Sequence, residues 1–142
     1  MDNSAKRIKG LGEVSIRVQD LGSMQKFYEE VVGLQVLRQE ERYVFFKIAE
    51  GYGGHTQNLA LFAADERTFL KSKSTQLSPE MSTLHHIALN IALEDYEPEK
   101  ERLEALGLEV QVVDHEWIHV HSLYFSDPEG NLLELVSYDE RL

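Results

Sequence analysis

Apolar and polar residues alternate over 12–18, with Val14, Ile16 and Val18 on every second position, which predicts a half-buried strand. The spacing then changes. Leu21, Met24, Phe27 or Tyr28, and Val31 recur every three or four residues, the period of an amphipathic helix. Asp20 and Ser23 are its two candidate N-caps, and Gly33 is placed to close it in the left-handed conformation. Residues 34–39, 43–48 and 58–63 follow, rich in β-branched, aromatic and aliphatic side chains and separated by charged or glycine-rich breaks. The predicted order is β-α-β-β-β.

That order recurs. Residues 84–91 predict a strand, Pro98 suits the first turn of a helix continuing through Leu103 and Leu106, and Gly107 ends it as Gly33 ended the first. Strands are predicted again at 108–113, around 119–125, and at 131–137. Gly33, Leu34 and Val36 return as Gly107, Leu108 and Val110, an offset of 74, while the first strands align at 73. The modules are thus 8–63 and 83–138. A polar connector at 64–82 joins them, with a short helical turn expected near Phe69 and Leu70. The expected fold is α+β: two tandem βαβββ modules completing a curved, partly open, barrel-like sheet of eight strands around a cavity.

Composition narrows the function. Leu, Ile, Val and Phe make up about 30% of the 142 residues, enough for a folded core. Fourteen basic against 25 acidic residues give a formal charge of −11, which repels a phosphate backbone and disfavours nucleic-acid binding. No apolar run is long enough to span a bilayer and no apolar segment follows the charged start, so a soluble cytoplasmic protein is expected. With no cysteine, any metal must be held by imidazole, carboxylate or backbone groups.

Superposing the two modules sets Glu13 on His86 and Ala60 on Glu134. Glu13, His86 and Glu134 are therefore three metal-competent side chains at symmetry-related positions, with Ala60 unable to ligate at the fourth. Such a donor set suits one divalent ion: Fe, Mn, Ni, Co or Zn. The alternative is two solvent-facing glutamates and a hydrogen-bonded core histidine. His119 and His121 would share a strand face and supply an acid or base beside the metal, or else belong to a merely polar strand. His85 should point away from His86. The run Gly51, Tyr52, Gly53, Gly54, His55 lacks the lysine of a phosphate loop and reads as a hairpin or a lid.

Several stretches resemble the vicinal oxygen chelate superfamily, which includes glyoxalase I, extradiol ring-cleaving dioxygenases, and the fosfomycin- and bleomycin-resistance proteins. They are Gly12 with Glu13 through Leu21, then Phe27-Tyr28 and Val32-Gly33-Leu34 in the first module. The second module carries His85-His86-Ile87, Leu106-Gly107-Leu108, and the run from Leu123-Tyr124-Phe125 through Asp127-Pro128-Glu129-Gly130 to Leu133-Glu134. The likeness implies the glyoxalase/dioxygenase-like fold and metal ligands at His86 and Glu134. Glu13 stands where most members have histidine, which favours harder metals. Tyr124, ten residues before Glu134, matches a tyrosine that hydrogen-bonds substrate in extradiol enzymes, and His115 lies near their neighbouring histidine. The resemblance implies a metal-dependent enzyme acting on a small molecule through two adjacent oxygens, dioxygenase-like ahead of lyase or isomerase, and a homodimer. The alternative it leaves is a metal-free binding protein of the bleomycin-resistance type.

Overall fold

The computed structural model describes residues 7–64 and 84–142. The chain divides into two compact units, Met1–Leu77 and Ser78–Leu142. In unit one β1 (Glu13–Val18) is followed by α1 (Leu21–Lys26), then β2 (Gln35–Gln39), β3 (Tyr43–Ala49) and β4 (Gln57–Ala63). In unit two β5 (His86–Asn90) leads to α2 (Tyr96–Ala105), β6 (Gln111–His115), β7 (Val120–Ser126) and β8 (Leu132–Tyr138). Each is one βαβββ module. The strand orders are β1-β4-β3-β2 and β5-β8-β7-β6, so each module makes a four-stranded mixed sheet with its first and last strands parallel at one end. All but the first residue of the expected connector, and its helical turn, lie outside the described residues.

The repeat seen in sequence is also a repeat of register. Glu13 pairs with Asn58 across β1·β4, and His86 pairs with Leu132 across β5·β8. Ser15 therefore faces Ala60 as Ala88 faces Glu134, which makes Glu13 and Ala60 the counterparts of His86 and Glu134. A shift of one residue would turn every side chain to the other face.

In unit one, Asp20 is the N-cap, accepting a 3.0 Å bond from the Ser23 amide. The last turns, Phe27–Val32, widen to a π-helix before Gly33 (φ 85°) ends them, a change of pitch that the residue spacing does not disclose. Met24, Phe27 and Tyr28 are buried, and Tyr28 meets Phe46 at 6.2 Å between ring centres. Val18, Val44, Phe46, Leu59, Leu61 and Ala63 fall on one face of this sheet by their pairing, and all are buried. The glycine-rich run forms the β3–β4 hairpin. Gly51 is required there, because a Cβ on it would sit 2.1 Å from the His55 carbonyl oxygen.

In unit two, Leu123, Phe125, Leu133 and Leu135 fill the corresponding face, with Tyr96 and Leu103 of α2 also buried. Strand β6 begins three residues later than predicted. Leu108 is still engaged in ending α2, its amide donating to the Leu103 carbonyl. Asp127 shapes the β7–β8 turn by accepting from the amides of Glu129 and Asn131 and from the Asn131 side chain, at 2.7 to 2.9 Å.

A histidine, carboxylate and tyrosine centre on one sheet face

Pairing across unit two places His86, Ala88, Ser122, Tyr124, Glu134 and His115 on the face opposite the hydrophobic core. Tyr124 lies directly across from Glu134 on β7·β8. At the centre, Nε2 of His86 donates to Oε2 of Glu134 at 3.0 Å, and the Ser122 hydroxyl donates to Oε1 at 2.6 Å. Glu134 is 6% exposed, so it is not a solvent-facing strand residue. A carboxylate this buried needs hydrogen-bonded or charged partners. Ser122 and His86 supply them.

His85 precedes the strand proper, and its Nδ1 lies 2.8 Å from Nδ1 of His86. The expectation that it points away from His86 is therefore corrected: outside the ladder it is free of strand alternation. One imidazole nitrogen of His86 thus faces Glu134 and the other faces His85. Tyr124 packs edge-on to His86, with 6.0 Å between ring centres. Its hydroxyl is hydrogen-bonded to Nε2 of His115 at 2.9 Å. Burial, followed by the Glu134 charge, raises the Tyr124 phenol above its ordinary value, so it stays a neutral proton donor near neutral pH.

His119 and His121 do not join this centre. His119 is not in a strand: it is the left-handed residue (φ 56°, ψ 48°) ending a tight helical turn at Glu116–Ile118. Its Nδ1 donates to the Leu142 main-chain oxygen at 2.5 Å. His121 does lie in β7, one residue out of phase with Ser122 and Tyr124, and so on the opposite face from Glu134. There it donates to Asp114 at 2.7 Å and to Asp139 at 3.4 Å, with its ring 5.3 Å from that of Tyr96. These bonds, Asp114 first, raise its pKa above the ordinary value and so favour its charged form. Alternation assigned the two histidines one face, and the left-handed corner at His119 breaks that alternation.

In unit one, Glu13 is exposed and its Oε2 accepts a 2.8 Å bond from Ser15. Ala60 is fully buried and its partner on β3 is Phe45. Among the described residues no three His, Asp or Glu side chains are gathered closely enough to enclose an ion.

The profile of the Glyoxalase/Bleomycin resistance protein/Dioxygenase superfamily matches residues 10–135. The chain belongs to that superfamily. It is 26% identical over 128 residues to glutathione transferase FosA of Serratia marcescens, covering 90% of this chain and 80% of that protein. Among solved structures, the integron cassette protein HFX_CASS4, from the mobile metagenome of the Halifax Harbour sewage outfall, aligns with a TM-score of 0.66 at 28% identity, covering 92% of this chain and 99% of that one. Fosfomycin resistance protein FosX from Mesorhizobium loti aligns at 0.60 and 25% identity, covering 94% and 96%. The superfamily includes metal-dependent enzymes acting on small molecules, and the two-module α+β fold found here is theirs.

The donor chemistry fits a divalent ion. A buried carboxylate and an imidazole converge, and loss of the Nε2 proton would leave a nitrogen lone pair beside Oε2. His86 would then carry its proton on Nδ1, where His85 is placed to accept it, the outer partner that metal-bound histidines commonly use.

Proposed function

We propose that this chain is a divalent-metal-dependent enzyme acting on a small molecule that chelates the ion through two adjacent oxygens. His86 and Glu134 are two of its protein donors. Glu13 is taken as the third, a choice supported by its being the counterpart of His86 in the register repeat. With Ala60 at the fourth position, coordination sites remain for substrate. When bound, the ion (Fe, Mn, Ni, Co or Zn) supplies Lewis acidity toward substrate oxygen.

The observation that carries the reading is the hydrogen-bonded Tyr124–His115 pair beside the His86–Glu134 contact. Tyr124 can bind a substrate oxygen and hold a proton at Oη, and His115 orients that hydroxyl and can relay the proton. A phenol kept neutral near an anionic centre is suited to hydrogen-bonding a catecholate-like oxygen, which supports dioxygenase-like chemistry. The likeness to FosA supports a second reading, group transfer to a small oxygenated compound. A homodimer belongs to the proposal, and sedimentation giving only a 16.3 kDa species would remove it.

The test is metal content by elemental analysis of the parent and Glu134→Ala, purified without chelator, followed by assays of the loaded protein. Catechols with O2 test ring cleavage, fosfomycin with glutathione tests transfer, and hemithioacetals test the lyase reaction. Near-stoichiometric metal in the parent that is lost in Glu134→Ala is expected, with turnover of one substrate class. Failure of the parent to retain any of the five metals after reconstitution would overturn the reading in favour of a metal-free binding protein.

A further inference from the structure

The face of unit two that carries Glu134 is divided along its strands. One end is mixed, with Gln111 and Ser126 exposed and Leu132 opposite Ser126. The other end is apolar. Val113 and Val136 pair with Ser122 from either side, and Val120 precedes Ser122 on the same face of β7. All three valines are half-buried, and Asn90 stands beyond them at the β5 edge.

The groups of the centre lean toward the valines. Tyr124 starts level with Gln111, its partner across β6·β7, yet its hydroxyl is bonded to His115, which is level with Val120. Glu134 starts level with Tyr124, and its Oε1 is drawn one step the same way by the Ser122 hydroxyl. The side chain of His86 is 32% exposed, so the centre is open to a ligand. A molecule that reaches Tyr124 Oη and an ion beside Glu134 therefore has valine methyl groups as its next neighbours.

Charge points to the same kind of ligand. The described residues of unit two include three Lys or Arg side chains, and each is engaged elsewhere: Lys100 with Glu104, Arg102 with Glu99, and Arg141 with Asp139. A second anionic group on the ligand would trade water for valine side chains, beside the Glu134 carboxylate and with no cation of this unit to receive it.

We propose that the substrate of this centre carries an uncharged apolar body beyond its two chelating oxygens, and that Val113, Val120 and Val136 select it. The two oxygens rest on the metal-chelate reading above; the apolar body rests on the valines and on the direction in which Tyr124 and Glu134 lean. A compound with a carboxylate or phosphonate in place of that body is discriminated against.

The test is calorimetric titration of the zinc-reconstituted chain, at physiological ionic strength, with 4-tert-butylcatechol and 3,4-dihydroxybenzoate. The two share their chelating oxygens and differ only in the group on one ring carbon, and zinc has no redox chemistry of its own to oxidise them. The butyl compound is expected to bind about tenfold or more tightly, the effect of burying a few methyl groups. Val113→Lys, on the edge strand, should bring that ratio to about one or below by supplying a cation where the apolar body lay. Gln111→Lys places the same charge at the mixed end of the same strand face and should leave the ratio above about fivefold. Val136→Thr is nearly isosteric and reports even if Val113→Lys fails to fold: it should weaken the butyl compound about threefold and leave the benzoate unchanged. Elemental analysis of the same samples separates the two readings. Failure to retain zinc counts against the chelate, whereas the ratio, which Tyr124 and the valines set in the zinc-free chain as well, decides the apolar body. A ratio near one in the parent, or no saturable binding of either compound, would overturn the proposal. An equal effect of Gln111→Lys and Val113→Lys would overturn it in favour of general electrostatic repulsion.

Discussion

Replacing Ser122 by alanine removes one oxygen from the interior and tests whether Glu134 is held ready to bind an ion. Ser122 is fully buried, and its hydroxyl is 2.6 Å from Oε1 of a carboxylate that is itself buried. Almost no volume is lost, so the cost is that of the hydrogen bond. A bond to a charged group is worth about 1.5–3 kcal/mol, and about 2 kcal/mol corresponds to roughly a 30-fold change in the folded-to-unfolded ratio. For a chain near this length, that lowers Tm by about 4–8 °C. Thermal unfolding followed by circular dichroism in EDTA reads this stability loss. Titration with Mn2+ reads the second consequence: with Oε1 untethered, metal affinity should fall about 10- to 100-fold, as for other groups that orient a ligand. An unchanged Tm would show that Ser122 does not hold Glu134. A lower Tm with unchanged Mn2+ affinity would refute the view that this carboxylate is a metal ligand.

His121 gives a pH signature. Its folded pKa is raised above 6.5, chiefly by Asp114, so the stability it contributes is fully present below about pH 6.5 and is lost as pH rises through the raised folded value. The urea midpoint of the parent should therefore fall between pH 6 and pH 9 more steeply than that of His121→Gln, and parallel profiles would refute the pairing. Asp127→Ala strips three hydrogen bonds from the β7–β8 turn and should cost about 2–3 kcal/mol by chemical denaturation, whereas a loss below about 0.5 kcal/mol would show the turn to be held by other means. Gly107→Ala forces a side chain into φ 84° with no atom within 4 Å to clash, so a purely conformational loss of about 1 kcal/mol is expected in the same assay; a loss well beyond that would contradict the open surroundings.

The parts of the molecule legible from residue order are those that a strict period governs. Alternation at Val14, Ile16 and Val18 gave β1 its inward face, and the offsets of 73 and 74 anticipated the matched register of the two parallel ladders. The centre around Glu134 was legible in part, since His86, Tyr124 and Glu134 fall on one face by that repeat and by their likeness to a family motif. The Tyr124–His115 bond depends on how β6 pairs with β7 and needed the ladder to be seen. His119 escaped because a non-glycine residue with positive φ leaves little trace in sequence. His121 was lost with it, because its face had been counted from His119. The signal that would have found its partners is the Asp114 position, directly opposite on β6, together with an acidic residue just past β8.

The parallel pairing of first and last strands has a kinetic consequence. Glu13 meets Asn58 and His86 meets Leu132, contacts separated by 45 and 46 residues, and each spans nearly the whole of its own module. The antiparallel pairs β2·β3, β3·β4, β6·β7 and β7·β8 close short loops and can form early. The ladders that bring Glu13 to Asn58 and His86 to Leu132 must close large ones. During synthesis β1 must wait with an unsatisfied edge until β4 emerges, and β5 likewise until β8 emerges. Nascent chains halted within residues 19–56 or 91–131, between each first strand and its parallel partner, are therefore the stages at which this protein is most exposed to aggregation.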